Sequence, residues 1–118
     1  MNKRSVGSKY EDLAVSYLST GGVRVIARNF RSRYGEIDIV GHDGDYYIFF
    51  EVKYRRDGAA GDPTEAVDYR KQYRISRVAD YFRVYRKLKD TDNVRFDVVT
   101  VLGSEVSWYK NAFDYIPA

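Results

Sequence analysis

Residues 8–20, SKYEDLAVSYLST, place apolar side chains at Tyr10, Leu13, Ala14, Tyr17 and Leu18. Steps of three and four residues set these on one face of a helix. Ser8 and Glu11 have the spacing of a capping box, and Gly21 with Gly22 can supply a left-handed stop. The period then changes to two. Residues 23–28, VRVIAR, and 36–40, EIDIV, alternate as strands do, with a polar, turn-like NFRSRYG between them. Asp43-Gly44 signals a hairpin, and residues 46–55, YYIFFEVKYR, form the third strand. A loop of small residues, DGAAGDP, follows. Asp62 fits the N-cap and Pro63 the first position of a second helix running to about residue 89. Its apolar stripe is Val67, Ile75, Val78, Phe82 and Tyr85, and DTDN ends it. Residues 94–102, VRFDVVTVL, are rich in β-branched side chains and read as a strand. SEVSWYKNAF gives a short strand and a final turn.

The resulting order is α-β-β-β-α-β-β. The long helix can bring the fourth strand parallel to the third by a right-handed crossover. The predicted fold is therefore α/β, a mixed central sheet flanked by helices. A chain of 118 residues without repeat or linker fits one domain, 1–118. No apolar run approaches the ~20 residues that span a bilayer. The basic start leads into no apolar segment, so no export signal is expected, and a cytoplasmic protein without a membrane partner is.

Composition narrows the chemistry. There is no Cys, which removes disulfides, thiolate metal sites and a Cys nucleophile. His42, in a turn, is the only His, which leaves no basis for a His metal site or a Ser-His-Asp triad. Carboxylates, Lys, Arg and Tyr must carry whatever chemistry exists. The net charge of +3 and pI near 9.1 permit a polyanionic partner without requiring one.

Glu51 and Lys53 interrupt the apolar third strand, and residues two apart share a face. A two-residue Asp43-Gly44 turn pairs His42 with Asp45, which sets Asp38 opposite Phe49 and Glu36 opposite Glu51. A loop over 42–45 gives the same register, whereas an odd loop length would put the acids on opposite faces. In the expected register Glu36, Asp38, Glu51 and Lys53 share one face, with Asp38 and Glu51 as diagonal neighbours roughly 7–8 Å apart. Two carboxylates about 5 Å apart repel by roughly 3 kcal/mol at an effective dielectric near 20. A divalent cation would balance three acids against one Lys, and an all-oxygen donor set suits Mg²⁺ or Mn²⁺. Lys71 lies four residues from both Val67 and Ile75, on the apolar stripe, where an acid or a phosphate could meet it. Arg70, Arg74 and Arg77 form a separate basic stripe, with Tyr69 and Tyr73 beside it.

Asp38, followed after twelve residues by Glu51-Val52-Lys53, resembles the D…E-x-K core of PD-(D/E)XK nucleases. GEIDIV, FFEVKYR, RKQ, RFDVV and EVSWYKNAF, in that order, resemble the YraN family of small bacterial proteins over Glu11 to Phe113. The resemblance implies a restriction-endonuclease-like αβββαβ core, in a branch near the Holliday-junction resolvases. It implies a metal-dependent endonuclease acting on DNA, branched or otherwise structured, or else a non-catalytic DNA-binding or assembly module on the same scaffold. In that branch a Glu of the first helix joins the Asp, Glu and Lys, and Glu11 matches it. Asp38, Glu51 and the carbonyl of Val52 would hold Mg²⁺ or Mn²⁺, and Lys53 would orient or activate the attacking water. Lys71 and Gln72 match a Lys-Gln pair that touches the scissile phosphate or braces the site. Arg70 and Arg74 would bind the substrate, and a homodimer would pair two sites. The Pro of the signature is absent, since Ile37 precedes Asp38.

Plainer readings stand beside these. Glu51 and Lys53 read as a pair on a solvated face, although Phe49 shares it. Glu36 either binds metal or pairs with Arg31 or Arg33. Glu11 has its capping role, and Lys71 can bend its stem over the core towards water. Asp97 reads as the partner of an Arg, the Arg stripe as a solvated helix face, and His42 as an exposed turn residue. Trp108, Phe113 and most Tyr read as core or subunit interface.

Overall fold

The computed structural model describes the backbone of residues 5–55 and 67–118, with side chains from Lys9 onward in those stretches. The chain forms α1 (Ser5–Thr20), β1 (Arg24–Ser32), β2 (Gly35–His42), β3 (Tyr46–Arg55), α2 (Tyr69–Tyr85), β4 (Asn93–Leu102) and β5 (Glu105–Phe113). The strands make one sheet in the order β1-β2-β3-β4-β5. Neighbours are antiparallel except β3 and β4, which are parallel. The crossover between those two carries α2. This is the mixed, helix-flanked sheet that the sequence predicts.

Strand alternation makes two apolar layers. Val40, Phe49, Phe96 and Val98 pack under Ile75, Val78, Ala79 and Phe82 of α2. Ile39, Ile48, Phe50 and Val99 pack under Ala14 and Leu18 of α1. Phe82 meets Phe30 and Phe49 edge-on, with ring centroids 5.2 and 5.4 Å away.

Several boundaries differ from expectation. α1 begins at Ser5, so Ser8 lies within the helix rather than at its cap, and its side chain is outside the described residues. α2 begins at Tyr69, where Asp68 is the N-cap and its Oδ1 accepts from the Lys71 N–H at 2.9 Å. Asp62 and Pro63 lie outside the described residues. Val67 is buried but precedes the helix, and Tyr85 is 63% exposed at its end. The chain beyond Tyr85 turns instead of continuing to residue 89, where the Lys89 N–H donates to Asp92 Oδ2 at 2.7 Å. NFRSRYG is mostly strand: β1 continues to Ser32, with Asn29 at φ 52° and a register shift earlier, between Val25 and Ala27. β5 is a nine-residue strand rather than a short one.

Two residue classes also sit elsewhere than expected. Arg77 is buried rather than part of a surface stripe. Its guanidinium donates to Asp80 Oδ2 at 2.9 Å, to the Tyr115 hydroxyl and to the Ile116 carbonyl, tying the C-terminal segment to α2. Phe113 is in the core, but no Tyr is fully buried, and nine of the twelve, Tyr81 and Tyr85 among them, are exposed. A phenol can lay its ring over the core margin while its hydroxyl stays wet.

Gly41 is where β2 passes closest to the start of β1. A Cβ there would stand 2.5 Å from Val23 Cγ1 and 3.3 Å from the Arg24 carbonyl oxygen. Val23 is buried and stiff at χ1, so it cannot swing aside. Gly41→Ala is expected to cost about 1–3 kcal/mol in urea unfolding. Adding Val23→Ala should recover part of that loss.

Candidate active site

The hairpin of β2 and β3 builds the site. It pairs Ile39 with Phe50, Val40 with Phe49, Gly41 with Ile48 and His42 with Tyr47. The expected pairing of His42 with Asp45 is therefore wrong by two residues. The cause is the turn, where Asp43 Oδ1 accepts from the Asp45 and Tyr46 N–H groups at 2.9 and 2.8 Å. These bonds close a loop over residues 43–46 in place of a tight Asp-Gly turn. An even slip leaves every side chain on its own face. Extended by one residue, the observed register sets Asp38 level with Glu51 instead of diagonal to it.

The ladder between β2 and β3 stops at Ile39 and Phe50. Past that point β2 stays with β1 and parts from β3. The Val52 N–H loses its ladder partner and donates to Asp38 Oδ2 at 2.8 Å. A backbone donor away from water requires an acceptor, and this one draws the carboxylate into the split. The N–H and C=O of a strand residue face the same edge, so the Val52 carbonyl also looks into the split.

Glu51 is 7% exposed and lies on the α2 side of the sheet. Lys71 reaches it from the first turn of α2, with Nζ 3.1 Å from Glu51 Oε2. The inward position expected for Lys71 is observed. Burial, then the charge on Glu51 and a hydrogen bond with it, push the Asp38 carboxyl up to about 7, while the Val52 N–H acts in the other direction. Burial lowers the Lys53 ammonium, assisted by its hydrogen bond with Lys71 and that residue's charge. Burial also opposes the charge on Lys71, but its bond with Lys53 and the carboxylates of Glu51 and Asp38 prevail and raise it. The two ammonium groups thus shift in opposite directions, Lys53 down and Lys71 up.

The remaining candidates are less direct. Glu11 Oε1 accepts from Arg28 Nε at 3.0 Å and from Asn29 Nδ2 at 3.1 Å, yet it lies near enough to raise Asp38 further. Glu36 pairs with Arg31 at 2.9 Å at the rim, the ion-pair alternative rather than the metal one. Gln72 donates to the Val67 carbonyl at 2.8 Å and pins the entry to α2. Arg70 and Arg74 are exposed on the first turns of α2, and Arg77 is not available to a substrate. Asp97 is fully buried and paired with Arg95, as expected of a structural acid. Among the described residues no three of His, Cys, Asp and Glu gather as one metal-holding group. A cation would thus take Asp38, Glu51 and the Val52 carbonyl as its protein donors. An all-oxygen donor set, with Asp38 buried beside Glu51, fits that assignment.

Sequence reading missed one feature altogether. A half-open cleft of about 160 Å³ lies beside Lys71, lined by Gly35, Glu36, Lys71, Arg74, Ile75 and Val78. Lys71 and Ile75 share the inward stripe of α2, but nothing in the sequence indicates which part of the sheet faces them.

An αβββαβ core whose second and third strands part around two acids makes this a mixed α/β protein, with a five-stranded sheet flanked by helices. The chain belongs to the YraN family, matching Uncharacterised protein family UPF0102 over residues 10–101. It is 45% identical over 114 residues to a UPF0102 protein of Lachnoclostridium phytofermentans, covering 97% of each chain. It is 40% identical over 111 residues to a UPF0102 protein of Fusobacterium nucleatum, covering 94% of this chain and 92% of the other. Among solved structures, a repair endonuclease from Pyrococcus abyssi is similar at a TM-score of 0.46 and 20% identity, over 80% of this chain and 38% of that one.

Proposed function

We propose that this protein is a metal-dependent endonuclease that hydrolyses phosphodiester bonds in DNA, branched or otherwise structured. The observation that carries this reading is the convergence of Asp38, Glu51, Lys53 and Lys71 where β2 parts from β3. Asp38, Glu51 and the Val52 carbonyl would hold Mg²⁺ (or Mn²⁺), which would lower the pKa of the attacking water and offset charge on the phosphoryl oxygens. Lys53, beside the carboxylates, orients or activates the attacking water. Lys71 stays charged, trades Glu51 for the scissile phosphate and holds it. Glu11 adds negative charge behind Asp38 and fixes β1 through Arg28. Arg70 and Arg74 grip the DNA backbone without reading its sequence. A cytoplasmic location belongs to the same reading, and no helix among the described residues is long and apolar enough to cross a membrane. A homodimer would present two such sites to two strands.

The Glu51–Lys71 ion pair favours a second reading, in which Lys71 permanently takes the cation's place. The chain would then be a DNA-binding or assembly module that does not cut. Incubation with junction, flap and single-stranded DNA in Mg²⁺ or Mn²⁺ separates the two. On the first reading the wild type cuts at least one substrate, and Lys53→Ala loses roughly 10²-fold or more in rate while still binding DNA. Binding without cutting in either metal selects the second reading. No affinity for any of the three at low salt refutes both.

A further inference from the structure

The cleft beside Lys71 points to the kind of DNA that is recognised. We propose that it receives one unpaired nucleobase next to the scissile phosphate, so that the enzyme selects extrahelical or single-stranded nucleotides. This inference rests on the nuclease reading for the phosphate's position, not for the cleft's own chemistry.

Size is the first argument. A cavity of about 150 Å³ admits one benzene-sized ring. The cleft measures about 160 Å³, which suits a single base and excludes a base pair. Its walls are the second argument. Ile75 and Val78 lie at its base, with only 2% and 1% of their own surface open. Gly35 lays bare backbone beside them; a Cβ there would touch Val78 Cγ2 at 3.9 Å. Flat backbone and branched apolar side chains are a surface on which an aromatic ring can lie.

Polarity is the third argument. The rim carries one acceptor and two donors: Glu36, Arg74 and Lys71. Arg31 Nε holds the Glu36 carboxylate at 2.9 Å, so the acceptor is oriented before anything binds. A carboxylate accepts the amino or imino hydrogens of a base edge, and Arg or Lys donates to its ring nitrogens and carbonyl oxygens. Position is the fourth argument. Lys71 lines the cleft and also touches Glu51 at 3.1 Å, so a base in the cleft lies one side chain from the carboxylates. In a paired duplex the base must first be unpaired and unstacked to enter, and that cost is the source of the selectivity.

The test reads binding in EDTA, without cleavage. Three duplexes are compared: fully paired, with one unpaired 2-aminopurine, and with an unpaired abasic residue at the same place. The unpaired base should raise affinity about tenfold over both others, the order of one base stacked in a pocket. Its fluorescence should respond on binding. Val78→Met, which fills the floor while staying apolar, and Glu36→Ala, at the exposed rim, should each bring the three affinities together. Equal binding of the base-bearing and abasic duplexes by the wild type overturns the proposal, even if the protein cuts DNA. A preference for the unpaired base that survives both variants overturns it too, by placing recognition elsewhere. If the preference is present and lost as described but nothing is cut, the cleft assignment stands and the nuclease reading falls.

Discussion

Asp38→Asn is expected to melt above the wild type in chelator at pH 8 and to cut no DNA. The carboxyl of Asp38 is pushed up to about 7 by burial and by Glu51. In the unfolded chain an Asp titrates near 3.9. Between those values the folded protein keeps a proton that the unfolded chain releases. Stability therefore falls as pH rises from about 4 to about 7, and the loss is complete above that. At about 1.4 kcal/mol for each pH step, the cost reaches the order of a few kcal/mol. Asn is neutral throughout, can still accept the Val52 N–H and can donate to Glu51. The two proteins should therefore have similar stability near pH 4 and diverge steadily towards pH 8. Thermal unfolding across that range in EDTA measures it. A wild type as stable as the variant at pH 8 would remove the basis for a charge-deficient site. The same substitution deletes an anionic donor, so metal-supported cutting should vanish while the fold gains. A residue that weakens the fold in isolation is well explained by a partner that it awaits.

Asp97→Ala should be the most damaging single change away from the site. Asp97 is fully buried and accepts four bonds: two from Arg95 at 2.9 Å, one from Trp108 Nε1 at 2.8 Å and one from the Asn111 N–H at 2.8 Å. It spans β4 and β5 where their pairing is irregular, between Phe96 and Val98. Arg95 continues to Asp43 at 3.5 Å, in the turn that sets the hairpin register. Removing the carboxylate leaves a guanidinium, an indole and a backbone donor without their partner. Breaking a buried charge pair costs about 3–5 kcal/mol. The expected readout is a large fall in the urea midpoint, and Asp97→Asn, which keeps one acceptor, should lose less. If Asp97→Ala unfolds at the wild-type midpoint, the network is not what secures β5.

Much of this fold is legible because its central strands are continuous runs of aromatic and β-branched residues and its two helices carry single apolar stripes. The third strand falls at 46–55 as read, because eight of its ten residues suit a buried strand. Parity of the acids survives an incorrect register, since the turn differs by an even count. The inward aim of Lys71 follows from helical spacing alone. The start of α2 is less legible, because Asp62 and Asp68 are both residues that cap helices, and it is Asp68 that accepts from the Lys71 N–H. The burial of Arg77 has no sequence signal: its partners Tyr115 and Ile116 are almost forty residues away, and spacing within a helix cannot report them. The cleft is invisible for the same reason, being made where β2 and α2 happen to face each other.

The loop over residues 43–46 bears on how such chains can diverge. Length changes there can be absorbed in twos, which only slide one ribbon along the other. A single added or lost residue would turn Asp38 outward and leave Glu51 alone with Lys71. The hairpin thus behaves as a counter that tolerates even steps, and drift in its tip is constrained by arithmetic rather than by contact.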